Sequence, residues 1–147
     1  MDEQWTAGFV DRAVDHWQQH GFGLWIARTL SNDETIGYLG LSMPPFLAEI
    51  LPPARMPAVE IGWRLHPDHW GNGYATEGAH AALREAFETL QLREICSAPQ
   101  SNNPRSARVA QRIGMHHERT VTLAPTTARE AVDVDLYWIA RRGLANS

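Results

Sequence analysis

Two stretches of this chain, with a few scattered side chains, have residue types and spacings that can do chemistry. Glu60 stands in Val59-Glu60-Ile61-Gly62-Trp63-Arg64-Leu65, where Val59, Ile61, Trp63 and Leu65 alternate onto one strand face and the carboxylate leaves from the other. Partial burial of such a carboxylate raises its pKa towards the range useful for moving protons near neutrality. An ordinary solvated carboxylate, or one paired with Arg64, is the alternative. Just downstream, Trp70-Gly71-Asn72-Gly73-Tyr74-Ala75-Thr76 runs from a strand end straight into a helix. Gly71 and Gly73 open backbone conformations closed to other residues. The unpaired N–H groups of Asn72 to Thr76 then converge at the positive end of the helix dipole, which binds a diphosphate without needing lysine. A plain tight turn, with Trp70 and Tyr74 packed in the core, is the competing reading. The third glycine of a dinucleotide fingerprint is missing at its spacing, and no Gly-Lys-Ser/Thr of a P-loop is present. Cys96 lies between Ile95 and Ser97 in a short β-prone run, which suits a buried structural thiol better than an acyl-carrying nucleophile. His66-x-x-His69 and His116-His117 lack the thiolate or carboxylate that would complete a metal set, so no metal is expected.

These residues need elements to position them. Residues 2–20 place Phe9, Val10, Ala13, Val14 and Trp17 at helical spacing, with Gly21 as the stop. Leu24–Thr29 and Ile36–Ser42 read as strands joined through Ser31-Asn32-Asp33-Glu34. Met43 to Pro57 holds five prolines around Phe46, Leu47, Ile50 and Leu51, which bars a central strand or long helix. It is either a functional lid or a surface connection whose apolar residues cap the core. The 59–65 strand breaks at His66-Pro67-Asp68. A helix of about four turns then runs from Ala75 through Ala79, Leu83, Ala86, Phe87 and Leu90. A short strand at Glu94–Ala98, a helix at Asn103–Ile113 ended by Gly114, and a final strand pair at 116–123 and 132–140 complete the order. The fold class is a mixed α/β (α+β) sandwich with one strand–helix–strand crossover at its centre.

Composition sets the outer bounds. The 147 residues suit a single domain, 44% apolar and 20% charged. A net charge of −4 gives no basic field for nucleic acid or an anionic membrane, and slightly favours cationic partners such as polyamines and aminoglycosides. One cysteine excludes an internal disulfide and fits a reducing compartment. The Met1-Asp2-Glu3-Gln4-Trp5 start is no signal peptide, and no apolar stretch is long enough to span a membrane. A cytoplasmic, soluble domain is expected.

Taken together, Glu60-Ile61-Gly62-Trp63-Arg64-Leu65, Trp70-Gly71-Asn72-Gly73-Tyr74-Ala75-Thr76-Glu77, Asn103-Pro104-Arg105-Ser106 and Arg112-Ile113-Gly114-Met115 resemble the RimJ/RimL-type branch of the GNAT N-acetyltransferases, over about residues 20–140. The resemblance implies a central mixed, mostly antiparallel sheet flanked by helices, here lacking the family's usual first strand and helix. It implies acetyl-CoA as co-substrate and a peptide N-terminus or small-molecule amine as acceptor. The superfamily's Gln/Arg-x-x-Gly-x-Gly/Ala pattern falls on Trp70, Gly73 and Ala75, with Trp in place of Gln/Arg as is usual in this branch. The loop Trp70, Gly71, Asn72, Gly73, Tyr74, Ala75, Thr76 would then hold the CoA diphosphate. Asn103 would contact the pantetheine arm, and Arg108 and Arg112 are candidates for the 3′-phosphate, with a solvated helix face as the alternative. The tyrosine acid often found on this helix falls on Ala110, so Ser106 or water must protonate the leaving thiolate. Glu60 is the expected base for the amine, and N–H groups beside the central strand are expected to polarise the thioester oxygen. A degenerate acyl-CoA-binding module is the rival reading. With the front segment absent, Leu24–Thr29 becomes an exposed edge strand, and a homodimer that covers it is expected.

Overall fold

The computed structural model describes residues 3–142. Helix α1 (Glu3–His20) is stopped by Gly21 at φ 74°, whose N–H donates to the Trp17 carbonyl at 2.9 Å. The strands are β1 (Leu24–Arg28), β2 (Thr35–Ser42), β3 (Glu60–Leu65), β4 (Glu94–Ser97), β5 (His116–Leu123) and β6 (Val132–Ala140). They form one sheet in the order β1-β2-β3-β4-β6-β5. Every neighbouring pair is antiparallel except β3 and β4, which are joined by the crossover helix α3 (Tyr74–Arg84) and are parallel. A π turn at Glu85–Thr89 extends α3, and α4 (Pro104–Arg112) follows β4. Among the described residues no helix is long and apolar enough to cross a membrane.

Alternation along the strands builds a different core on each face. On one face Leu41, Ile61, Ile95 and Tyr137 pack beneath α3 and α4 through Ala79, Ala82, Leu83 and Ala110. Small residues let α3 sit close: a Cβ on Gly78 would stand 2.2 Å from Leu39 Cδ2. On the other face lie Cys96, Leu136 and Trp138, covered by Leu47, Ile50 and Leu51. Helix α1 shares that second face. Its Phe9 ring lies 4.7 Å from the ring of Tyr38, a residue that projects opposite Leu39 and Leu41, and its Trp17 Nε1 donates to the Leu24 carbonyl at 2.8 Å.

The proline-rich segment thus caps a core. It forms the short helix α2 (Leu47–Ile50) and a 3₁₀ turn at Pro53–Arg55, and Leu47 is fully buried. Arg55 stacks on the Trp138 ring at 3.8 Å and pairs with Glu118 at 2.9 Å and Glu94 at 3.3 Å. Arg119 donates to the Ile50 carbonyl at 2.7 Å, and Arg129 pairs with Glu49 at 2.9 Å. A segment tied to the sheet at this many points is not a lid. At the sheet's margin, β1 is an edge strand, as its sequence suggests, and Ile26 upon it is 59% exposed.

Candidate active site

The site originates in a fault between the two parallel strands. β3 and β4 register only at Glu60↔Cys96, where the Cys96 N–H donates to the Val59 carbonyl at 3.1 Å. Past that point the chain leaves β3 and follows β6. Pro99, which has no N–H to offer, gives its carbonyl to the Asp135 N–H at 2.8 Å, and Gln100 bridges Val134. A cleft of about 110 Å³ opens between the strands, with Glu60, Gly62 and Trp63 on one wall and Ser97, Pro99 and Ser106 on the other. Main-chain groups alternate sides along a strand. The Val59 carbonyl faces β4, so the Trp63 N–H faces the same way, beyond the last pairing and into the cleft.

Glu60 and Ser106, far apart in sequence, line this one cleft. Glu60 is half-buried, and a Cβ on Gly62 would stand 3.9 Å from its Oε1, so glycine keeps room beside the carboxylate. Loss of surrounding water pushes its pKa up from 4.5 to about 7, against the opposing pull of a backbone hydrogen bond from Ala98. Among the described residues it has no ion pair with Arg64. Four residues along a strand span about 13 Å, too far for one, although the same spacing would pair them on a helix. Asn103 caps α4: its Oδ1 accepts the Ser106 N–H at 3.2 Å, and Pro104 fills the first helical position. That cap fixes Ser106 in the first turn, half-buried against the cleft.

The glycine loop lies at the same end of the parallel strands. Gly71 and Gly73 have φ of 84° and 76°, and no atom lies within 4 Å of where a Cβ would stand on either. Gly73 is the N-cap of α3, and its carbonyl accepts the Glu77 N–H at 3.0 Å, the first bond of the helix. The preceding N–H groups therefore point out of the helix end. Trp70 is 46% exposed and donates from Nε1 to the Leu65 carbonyl at 2.9 Å, so it is no core residue. The Arg105 guanidinium lies over its ring at 4.5 Å, tying the loop to the start of α4. Asn72 Nδ2 donates to the His69 carbonyl at 3.2 Å, and His69 in turn reaches Glu34 at 3.6 Å. Tyr74, Ala75 and Thr76 are half-buried in the first turn.

Arg108 and Arg112 are exposed on α4 and do not line the cleft. Cys96 is fully buried, and burial beside Glu60 drives its thiol far above the ordinary range, so it holds no thiolate for acyl transfer. His66 accepts the Asp68 N–H, and His117 meets Asp135 at 3.3 Å. Ser97, Pro99 and Arg105 are absent from the residues singled out by sequence. The first two carry one available signal: they end a short parallel strand, the place where open α/β sheets bind ligands.

Comparison with known proteins follows the same lines. The family described as acetyltransferase (GNAT) domain matches residues 1–116. The chain is 32% identical over 120 residues to the YkkB protein of Bacillus subtilis, across 82% of this chain and 66% of that one. It is 35% identical over 100 residues to the FsC-acetyl coenzyme A-N(2)-transacetylase of Aspergillus fumigatus, across 68% of this chain and 41% of that one. The chain thus spans two thirds or less of these relatives' own lengths. The crystal structure of an acetyltransferase from Agrobacterium tumefaciens superposes with a TM-score of 0.72 at 31% identity, covering 96% of this chain and 74% of that one.

The raised pKa of Glu60 has a consequence for stability. Its unfolded value lies near 4.5 and its folded value near 7, so between those pH values the unfolded chain loses this proton first and stability falls as pH rises. Glu60→Gln removes the effect. In urea unfolding the variant is expected to gain on the native protein by about 2 kcal/mol between pH 5 and pH 8, allowing for partial exposure. A stability difference that stays flat with pH places the carboxylate in water.

Proposed function

This chain belongs to the GNAT acetyltransferase family, and from that premise we propose that it moves an acetyl group from acetyl-CoA to a primary amine in a ternary complex. The observation that carries the proposal is the opening of β3 from β4, with Glu60 on one wall and Ser106 on the other, at the strand end occupied by the Gly71–Thr76 loop. The protein's groups fit that donor. Outward N–H groups at a helix start, with open space above Gly71 and Gly73, suit a diphosphate. A narrow cleft between strands suits a slender pantetheine arm, with Asn103 at its rim. Arg108 and Arg112, exposed on α4, are left for the 3′-phosphate.

The amine attacks in its neutral form, and Glu60 takes the proton that its nitrogen must then shed. With a pKa near 7 it is a weaker base than a free amine, but the attacking nitrogen becomes strongly acidic as its bond to the thioester carbon forms, and the transfer turns downhill. The Trp63 N–H faces the gap where the carbonyl oxygen gathers charge. As the carbon–sulfur bond breaks, Ser106 hands its proton, or that of a water it holds, to the departing thiolate. Ala110, fully buried in the core, has no side chain that could do so. The finer placement in the RimJ/RimL-type branch rests on the motif blocks at 60–65, 70–77, 103–106 and 112–115. A non-catalytic CoA-binding module is the rival reading, and release of free CoA in the presence of an amine panel separates the two.

The test uses two variants. Gly73→Val forces a β-branched residue to φ 76° and is expected to abolish the rise in Tm that acetyl-CoA gives the native protein. Glu60→Gln is expected to keep that rise and lose about 10²-fold in kcat. An undiminished Tm shift in Gly73→Val contradicts the phosphate cradle, and native turnover in Glu60→Gln makes Glu60 structural.

Assembly belongs to the same proposal. The outer edge of β1, with Ile26 exposed, offers main-chain groups to a second copy, and a homodimer protects it. Light scattering at micromolar concentration is expected to give twice the chain mass. A monomer with full activity contradicts this.

A further inference from the structure

A second, larger hollow lies beside the cleft and opens on the same sheet face as Glu60. It has a volume of about 280 Å³ and is walled by α1 residues Phe9, Arg12 and His16, by Leu24, and by Ser42 to Pro45. Two observations join it to the base. Ser42 and Glu60 are cross-strand partners, so their side chains project together, with Cα atoms about 5 Å apart. Tyr38, four residues before Ser42 and hence on the same face, packs against Phe9 of α1. The Ser42 end of the hollow is therefore the end that borders Glu60.

The lining limits what a ligand there can be. The surface is chiefly apolar, from Phe9, Leu24, Met43, Pro44 and Pro45, and the space exceeds that of an engineered cavity of about 150 Å³ that accepts benzene. The polar side chains that α1 contributes are Arg12 and His16. Arg12 has no acidic partner among the described residues. His16 gives its Nδ1–H to the Phe22 carbonyl at 2.9 Å, while its Nε2 is buried with no hydrogen-bond partner. No carboxylate among the described residues lines the hollow, so a polyamine's far ammonium meets no opposite charge there. We infer that the acceptor is a small primary amine with an aromatic or branched aliphatic body and a carboxylate at its far end. The amine lies at Glu60, the body in the hollow and the carboxylate at Arg12. The inference rests on Glu60 being the base of an acetyl transfer. It departs from the cationic acceptors that net charge alone favours, because the local lining and not the whole-chain charge meets the ligand.

Three amines test it: 4-(aminomethyl)benzoate, benzylamine, which has the same body without the carboxylate, and spermidine. With acetyl-CoA and the full chain, kcat/KM for 4-(aminomethyl)benzoate is expected to exceed that for each of the others by about tenfold, the scale of one charge-assisted hydrogen bond. Arg12→Gln, an exposed substitution, is expected to collapse the ratio over benzylamine to about one. A preference for spermidine, or an equal loss for both aromatic amines in Arg12→Gln, overturns the inference and leaves the transferase reading intact. Calorimetric titration of 4-(aminomethyl)benzoate separates the remaining cases. Binding that weakens in Arg12→Gln without any acetylation supports the hollow and defeats the transfer, whereas no binding and no acetylation defeats the hollow as well.

Discussion

The proposed site depends on one pair of strands that stops pairing. A parallel pair in the middle of a sheet ordinarily continues as a ladder, with each backbone group satisfied by its neighbour. Here β3 and β4 hold to each other at Glu60 and Cys96 and then part, because Pro99 and Gln100 are drawn to β6 by Asp135 and Val134. The parting leaves main-chain groups of β3 without a strand partner along the cleft. It also puts Glu60 at the apex, where it is short of water and where its proton affinity rises. One packing decision thus makes both the opening and the raised proton affinity of Glu60.

The remainder of the molecule holds that fault open. Helices α3 and α4 both start at the cleft's mouth, and they are kept in place by a shared core of small residues and by Arg105 lying over Trp70. Behind the sheet, Arg55 clamps the proline-rich segment through Trp138, Glu94 and Glu118. Exposed ion pairs of this kind are individually weak, but buried Leu47, Ile50 and Leu51 carry the segment's attachment to the face that holds Cys96. That same segment begins at Met43 and Pro44, which wall the hollow beside Glu60. Core and hollow are therefore built from one stretch of chain.

Local pattern made much of this legible. The final strands fall at 116–123 and 132–140 as read, since each is long, β-prone and bounded by a polar turn. The alternation through Glu60–Leu65 and the switch to helical period after Gly73 are likewise local facts. Three things were not legible, and all are contacts distant in sequence. The proline count of 43–57 excluded a strand but could not tell a lid from a cap, because the answer lies in Trp138 and Arg119. The departure of Pro99 from β3 depends on a residue of β6. The hollow needs α1 brought over Ser42, and no spacing within either segment shows it. The face on which Glu60 projects is legible from the strand alternation, whereas a pairing with Arg64 fails on strand rise.

In the proposed reaction the parted strands and the glycine loop form one binding surface for acetyl-CoA. Amide hydrogen exchange, measured with and without saturating acetyl-CoA, tests this most directly, because both segments hold N–H groups without internal partners. The expected result is a joint rise in protection at residue 63 and at 71–76, with 43–57 unchanged. Protection confined to one of the two, or appearing only elsewhere, contradicts the claim.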